Sequence, residues 1–111
     1  MAEVWKDVVR AEGIYSVNDR GAVRREAGGR GARVGRILKP TYDRSGYRRV
    51  ILRINGKSRL FFEHTLVMAA FVGPKRAGYE IHHRNGLRDD NRLENLEYMS
   101  RDDHKKTHGK K

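Results

Sequence analysis

The sequence contains no cysteine. That excludes disulfides and any cysteine-based zinc cluster, and it says little about compartment. No apolar run reaches the length of a membrane span. The amino terminus lacks the charged-then-apolar pattern of a secretion signal. The setting expected is cytoplasmic, with no membrane partner. No internal repeat is visible. No heptad pattern or second apolar helix face advertises a dimer interface, which points to a monomer or a weak homodimer. Acidic residues are few: 14 Asp and Glu stand against 25 Lys and Arg, a formal net charge of +11 over 111 residues. Such an excess attracts polyanions and favours nucleic acid over small substrates. Charge alone does not separate DNA from RNA or an anionic membrane. The length is that of one domain or less, so the core is modest.

What is present is concentrated at the carboxy-terminal end. Four of the five histidines lie there: His82 and His83 as a pair, then His104 and His108 four apart, with Asn95 between the two sets. Glu80-Ile81-His82 reads as a short strand, and Gly86 to Arg92 as a polar loop with turn chemistry. Leu96-Glu97-Tyr98-Met99 alternates at period two, as a half-buried strand does. Ser100 is a good N-cap with Asp103 at the capping-box position, so a helix begins at about Arg101. On that helix His104 and His108 share one face, the spacing a single metal ion accepts. His82 would supply a third ligand. His83 would face the other side of its strand and serve as general base. Three protein ligands leave open positions for a scissile phosphate and water.

The amino-terminal half reads as a small sheet. Trp5, Val8 and Val9 are apolar anchors. Ile14 to Val17 and Ala22 to Arg24 flank the turn residues Asn18-Asp19-Arg20-Gly21, a hairpin signal. From Tyr47 to Ile54, Val50, Leu52 and Ile54 fall on one face and Arg49, Ile51 and Arg53 on the other. Asn55-Gly56 is a strong two-residue turn signal, with Lys57 to Phe62 as the return strand. His64 to Phe71 reads as a buried helix ended near Gly73-Pro74. His64, which starts it, is expected as a core or cap histidine. Between the first hairpin and Leu38 lies "RGAVRREAGGRGARVGR", in which arginines alternate with Gly and Ala. Its conformation is expected to be that of a mobile, solvated loop. Its guanidinium groups, Arg24, Arg25, Arg30, Arg33 and Arg36 among them, suit phosphate contacts or a narrow minor groove. Arg49 and Arg53 are secondary candidates. Residues 1–63 hold 15 basic and 7 acidic residues, net +8, and residues 64–111 hold 10 and 7, net +3. Most of the excess charge therefore lies outside the histidine-bearing part.

The run "GYEIHHRNGLRDDNRLENLEYMSRDDHKKTHGKK", residues 78–111, resembles the HNH nucleases with their ββα-metal motif. The resemblance implies that His82 binds a metal ion, that His83 activates water, that Asn95 holds the loop and orients the base, and that His104 binds metal from the helix. The His104 and His108 pair matches the colicin-type pattern, and "NRLENL" is close to the phage and intron-encoded branch. The usual loop Asp is replaced here by Arg84-Asn85. No second, structural CxxC zinc site is present. The runs "VWKDVVRAEGIYSVNDRGAVRR", "LKPTYDRSGYRRVIL" and "EHTLVMAAFVG" resemble the nuclease-associated modular DNA-binding motif that precedes HNH domains in phage and intron-encoded homing endonucleases.

The reading is an α+β protein: a small amino-terminal antiparallel sheet plus a helix, followed by a ββα-metal motif. Residues 1–63 form a basic, β-rich DNA-binding region, 64–77 a connecting helix and linker, and 78–111 the nuclease motif. The function expected is metal-dependent hydrolysis of phosphodiesters in double-stranded DNA, by nicking, in a bacterial or phage-infected cell. His83 and Asn95 are the catalytic residues; His82, His104 and His108 hold one divalent ion. Mg²⁺ or Mn²⁺ is the ion expected in use, although three imidazoles favour Zn²⁺ or Ni²⁺ in raw affinity. Arg84, Arg88, Arg92 and Arg101 border the site and could hold the flanking backbone. Two other classes fit parts of the pattern. One is a non-catalytic DNA-binding regulator with a metal-stabilised ββα fold, against which the base position His83 speaks. The other is a basic RNA-binding protein indifferent to metal.

Overall fold

Two turns organise the first sixty residues. At the first, the Asn18 side chain accepts hydrogen bonds from the backbone N–H of Arg20 and Ala22, both at 2.9 Å. This is the local side-chain-to-backbone bonding that makes Asn a turn residue. At the second, Asn55 and Gly56 take φ of 53° and 76°, the paired positive angles of a type I′ turn, whose twist matches that of the strands it joins. The computed structural model describes residues 3–29 and 31–103.

Around the first turn, β1 (Trp5–Asp7), β2 (Tyr15–Asn18) and β3 (Val23–Arg25) form an antiparallel sheet in that order. Around the second, β4 (Thr41–Tyr42), β5 (Arg48–Ile54) and β6 (Lys57–Phe62) form another. Helix α1 (Glu63–Phe71) follows directly, and β7 (Tyr79–His83) then pairs antiparallel with β8 (Leu96–Ser100). The fold is thus α+β, with small antiparallel sheets and one helix among the described elements. The alternation in β5 holds. Val50 and Leu52 are buried while Ile51 is 55% exposed, opposite the exposed Leu60 of β6.

One core joins these parts. Val8, Ala11, Tyr15, Val17, Val23, Val50, Leu52, Leu66, Val67, Met68 and Leu96 form a single buried cluster. Helix α1 lies at its centre, against β1, β2, β5, β6 and β8. Two tyrosine hydroxyls stitch its margins. Tyr15 accepts from the Arg53 N–H at 3.0 Å, and Tyr98 donates to the Gly73 carbonyl at 2.7 Å.

Several expectations change. Val8 is buried but Val9 is 48% exposed, so only the first of that pair anchors the core. Strands β1 and β4 carry no apolar alternation; each exists by pairing with a better-marked neighbour. Leu93–Asn95 forms a 3-10 turn where the sequence shows only a strand entry. The arginine-rich loop does not leave the sheet as a free, solvated excursion. Its exit is tied back onto β3: the Arg25 N–H donates to the Arg36 carbonyl at 3.0 Å, Gly35 N–H to Arg25 at 2.7 Å, and Leu38 N–H to Val23 at 2.8 Å. Backbone groups beside a strand edge find partners there, and composition does not reveal that.

Candidate active site

The β7–β8 ladder places the histidine pair. His82 lies opposite Glu97 and His83 opposite Leu96. Successive side chains on a strand face opposite ways, so the two imidazoles point to different surroundings. Both are buried, at 7% and 6% exposure. The His83 ring meets His64 edge-on, with centroids 5.2 Å apart, and lies 5.8 Å from Tyr47.

The loop between the strands is held by Asn95, itself buried on the 3-10 turn. Asn95 Oδ1 accepts from the Asn85 N–H at 3.0 Å. Its Nδ2 donates to Asn85 Oδ1 at 3.0 Å and to the Asp90 carbonyl at 2.8 Å. The Arg84 N–H donates to the Asn95 carbonyl at 2.8 Å, and Gly86, with φ of 77°, returns its N–H to the His83 carbonyl at 3.0 Å. The side chain of Asn95 thus bonds to the loop. The group bonded to the His83 ring, however, is another residue. His83 Nε2 lies 2.8 Å from Asn91 Oδ1, in a buried contact. Asn91 Nδ2 in turn donates to Glu63 Oε1 at 3.1 Å. Glu63 is buried at the start of α1 and ion-paired with Arg48 at 3.0 Å. Burial pushes the Glu63 carboxyl up, opposed by Asn91 and Arg48. On the other side of His83, burial pushes the His64 imidazole down to about 4; the neighbouring His83 adds to this and Asp43 opposes it. His64 Nδ1 is buried without a hydrogen-bond partner.

Sequence reasoning singles out neither Asn91 nor Glu63. Asn91 sits in a polar run where it reads as a turn residue. Glu63 follows two phenylalanines with no local sign that it is buried. Ser100 behaves as read: its Oγ accepts the Asp103 N–H at 3.1 Å, and helical turn begins at Arg101. His104 and His108 lie outside the described residues, as does Arg30. Among the described residues no group of three His, Cys, Asp or Glu could hold a metal ion. His82 is the one ligand candidate of the three that is placed, and its buried imidazole on β7 is a donor that suits a divalent transition metal.

The arginines fall into two groups. Some are engaged within the protein. Arg24 stacks on Trp5 at 3.9 Å and pairs with Glu26 at 2.8 Å. Arg25 lies over Tyr15 at 5.0 Å and donates to the Ala27 carbonyl at 2.7 Å. Arg49 reaches the Tyr42 carbonyl at 3.4 Å. Arg84 faces Glu97 at 3.5 Å and Arg101 faces Glu80 at 3.4 Å. Arg88 donates to the Ser45 carbonyl at 2.8 Å. Arg92 is held by Asp90 at 2.8 Å and Glu94 at 3.0 Å, and its hydrogen bonds keep the Asp90 carboxyl well below the usual carboxylate range. Arg33, Arg36 and Arg53 are exposed. Among the described residues no helix is long and apolar enough to cross a membrane.

Comparison with known proteins follows the same division. Residues 61–106 match the HNH endonuclease family and residues 3–53 match the NUMOD4 motif. The DNA endonuclease I-HmuI of Bacillus phage SP01 is 31% identical over 96 residues, which is 86% of this chain and 52% of that protein. A solved structure described as DNA binding and cleavage by the HNH homing endonuclease I-HmuI superposes with a TM-score of 0.80 at 28% identity, covering 96% of this chain and 59% of the other. The chain thus spans about half the length of the curated relative it matches. A NUMOD4 motif thus leads into an HNH-matching segment whose strand β7 bears His82 and His83 and whose 3-10 turn bears Asn95, and over both parts the chain is similar to the HNH endonucleases of the phage homing type.

Proposed function

We propose that the chain is a metal-dependent DNA endonuclease that nicks duplex DNA. The observation that carries this reading is the pair of buried imidazoles on β7, of which His83 has one ring nitrogen bonded to Asn91 and the other free of that bond. The likeness to an endonuclease whose solved structure concerns DNA binding and cleavage supports it. Residues 1–63, with most of the excess charge, hold the DNA; residues 78–111 cut it. Arg33, Arg36 and Arg53 offer exposed guanidinium groups for phosphate contact, and Arg30, outside the described residues, is a further candidate by its place in the sequence. The arginines already paired within the protein would have to exchange a carboxylate or carbonyl for phosphate.

His83 takes a proton from water, which attacks phosphorus in line with the departing 3′ oxygen. The bond from phosphorus to that oxygen breaks and the oxygen takes a proton from solvent, leaving a 5′ phosphate and a 3′ hydroxyl. Asn95 keeps the loop that follows the base in place. A divalent cation, Mg²⁺ or Mn²⁺ in use, held by His82, His104 and His108 would supply positive charge to the phosphate and the departing oxygen. The protein would act in the cytoplasm of a bacterial or phage-infected cell.

The test is supercoiled plasmid treated with wild type and with His83→Ala, with and without EDTA. Wild type is expected to cut only without chelator, and His83→Ala to lose about 10²–10⁴-fold in rate while still binding DNA. Undiminished cleavage in excess EDTA, or full activity in His83→Ala, overturns the reading. Binding without cleavage by wild type would make the chain a regulator, and preference for RNA would make it an RNA-binding protein.

A further inference from the structure

Asn91 is an amide with a different partner on each side, and that decides which way round it sits. On one side stands Glu63 Oε1, which also faces the Arg48 guanidinium at 3.0 Å. An oxygen that faces a cation is an acceptor, so Asn91 must turn its NH₂ toward it. Its Oδ1 then faces His83 Nε2 at 2.8 Å. An amide oxygen only accepts, so Nε2 must carry the hydrogen. In a neutral imidazole the lone pair is then on Nδ1.

We propose that Glu63 and Asn91 are positioning residues that fix the His83 imidazole as its Nε2–H tautomer, so that Nδ1 is the atom that accepts the proton from water. The inference rests on His83 being the base. Neither residue touches the reacting atoms; each acts through the ring. The wrong tautomer offers water an N–H instead of a lone pair, and a base in that state loses up to about 10⁴-fold in turnover.

A second contact keeps Asn91 in place from the amino-terminal sheet. The β2–β3 turn closes over it. A Cβ added to Gly21, where φ is +97°, would come within 3.0 Å of Asn91 Cβ, 3.3 Å of the Asn91 carbonyl and 3.5 Å of Glu63 Oε1. Beside it the Leu93 N–H donates to the Asp19 carbonyl at 2.8 Å. The turn thus needs glycine for its angle and for this close approach. This approach packs the turn closely on Asn91 beside its bond to Glu63.

The experiment is ¹⁵N NMR of histidine-labelled protein above the imidazole pKa, with the His83 signal assigned by its loss in His83→Ala. Wild type is expected to show the Nε2–H tautomer; an Nδ1–H signal overturns the proposal without any variant. Asn91→Leu, similar in shape but with no acceptor, should mix the tautomers and lower kcat by about 10²-fold or more, with DNA affinity unchanged. Asn91→Asp combined with Glu63→Gln reverses the donor and acceptor between positions 63 and 91 yet keeps an acceptor on His83. It should recover the tautomer and most of kcat, which a role in packing alone does not foresee. An Nε2–H population in Asn91→Leu as complete as in wild type, or a double variant no more active than Asn91→Leu, refutes it. Should Asn91→Leu fail to fold, the wild type and double-variant spectra still decide. If His83→Ala itself keeps cutting DNA, the base assignment fails, while the spectra report on the tautomer separately.

Discussion

Acidifying the protein from pH 7 to pH 5 should cost it stability through His64, and His64→Phe should abolish that cost. The ring is the second residue of α1, stacked on Phe62 and tilted against Tyr47, each at 5.3 Å, with His83 at 5.2 Å. Its Nδ1 has no partner, and burial lowers its pKa from 6.5 to about 4. The unfolded chain therefore takes up a proton near pH 6.5 that the fold resists until about pH 4. Stability is unaffected above the unfolded value, falls as pH drops below it, and has lost the full amount below about pH 4. A factor of ten in proton affinity is worth about 1.4 kcal/mol. The full loss is then about 3 kcal/mol, of which about 2 kcal/mol is reached at pH 5. Glu63 has the opposite sign, since burial raises its carboxyl and protonation favours the fold. Asp90 contributes stability that goes only at much lower pH, because its carboxyl is held down by Arg92. The informative quantity is therefore a difference. Urea denaturation at pH 7 and pH 5 should show wild type losing about 2 kcal/mol more than His64→Phe. Equal losses in the two proteins would mean that His64 is hydrated or partnered in solution, and the reasoning would fail.

Asn95→Ala removes the amide that bonds Asn85 and Asp90, leaving loop groups without partners; a loss of about 1–3 kcal/mol is expected in urea denaturation, with activity falling alongside, and unchanged stability would remove Asn95 from its loop-holding role. Arg33→Ala with Arg36→Ala should weaken DNA binding and lower the slope of log affinity against log salt by about 0.9 for each phosphate no longer neutralised, while a variant with the same slope would mean these exposed groups touch none. One histidine set per chain suits one displacement at one phosphate, so nicked circles should accumulate before linear plasmid appears; immediate linear product from a protein of dimer mass would refute single-strand cutting.

The features legible in the sequence are those that local chemistry writes. Asn55-Gly56 between alternating runs marks β5, the turn and β6, because positive φ and period two are both residue-level signals. Ser100 marks the start of a helical turn for the same reason. The His82 and His83 pair can be placed on a strand because Ile81 and the downstream alternation imply one. The features that stay hidden depend on partners far along the chain. Glu63 and Asn91 are 28 residues apart, and nothing near either discloses that they bond or that both are buried. Val9 looks like Val8, but its environment is set by how β1 leads into the following turn. The arginine-rich loop looks free because its bonds run to β3 backbone, which any residue type can supply.

These long-range ties bear on how cutting relates to holding. The β7–β8 hairpin alone has only two strands, and an isolated pair is marginal in water. Its Leu96 enters a core otherwise supplied by residues 8–68. The loop after β7 is bonded to Asp19 through Leu93 and packed on Gly21 through Asn91. Asp19 and Gly21 belong to the turn that feeds β3, on which Arg24 and Arg25 lie. A change in that turn therefore reaches His83 by contact, through Asn91, without any hinge between the parts. In the proposed enzyme, a strand that settles against DNA and the ring that activates water are carried by one continuous packing. Loosening the first should broaden the orientations of the second before it unfolds either.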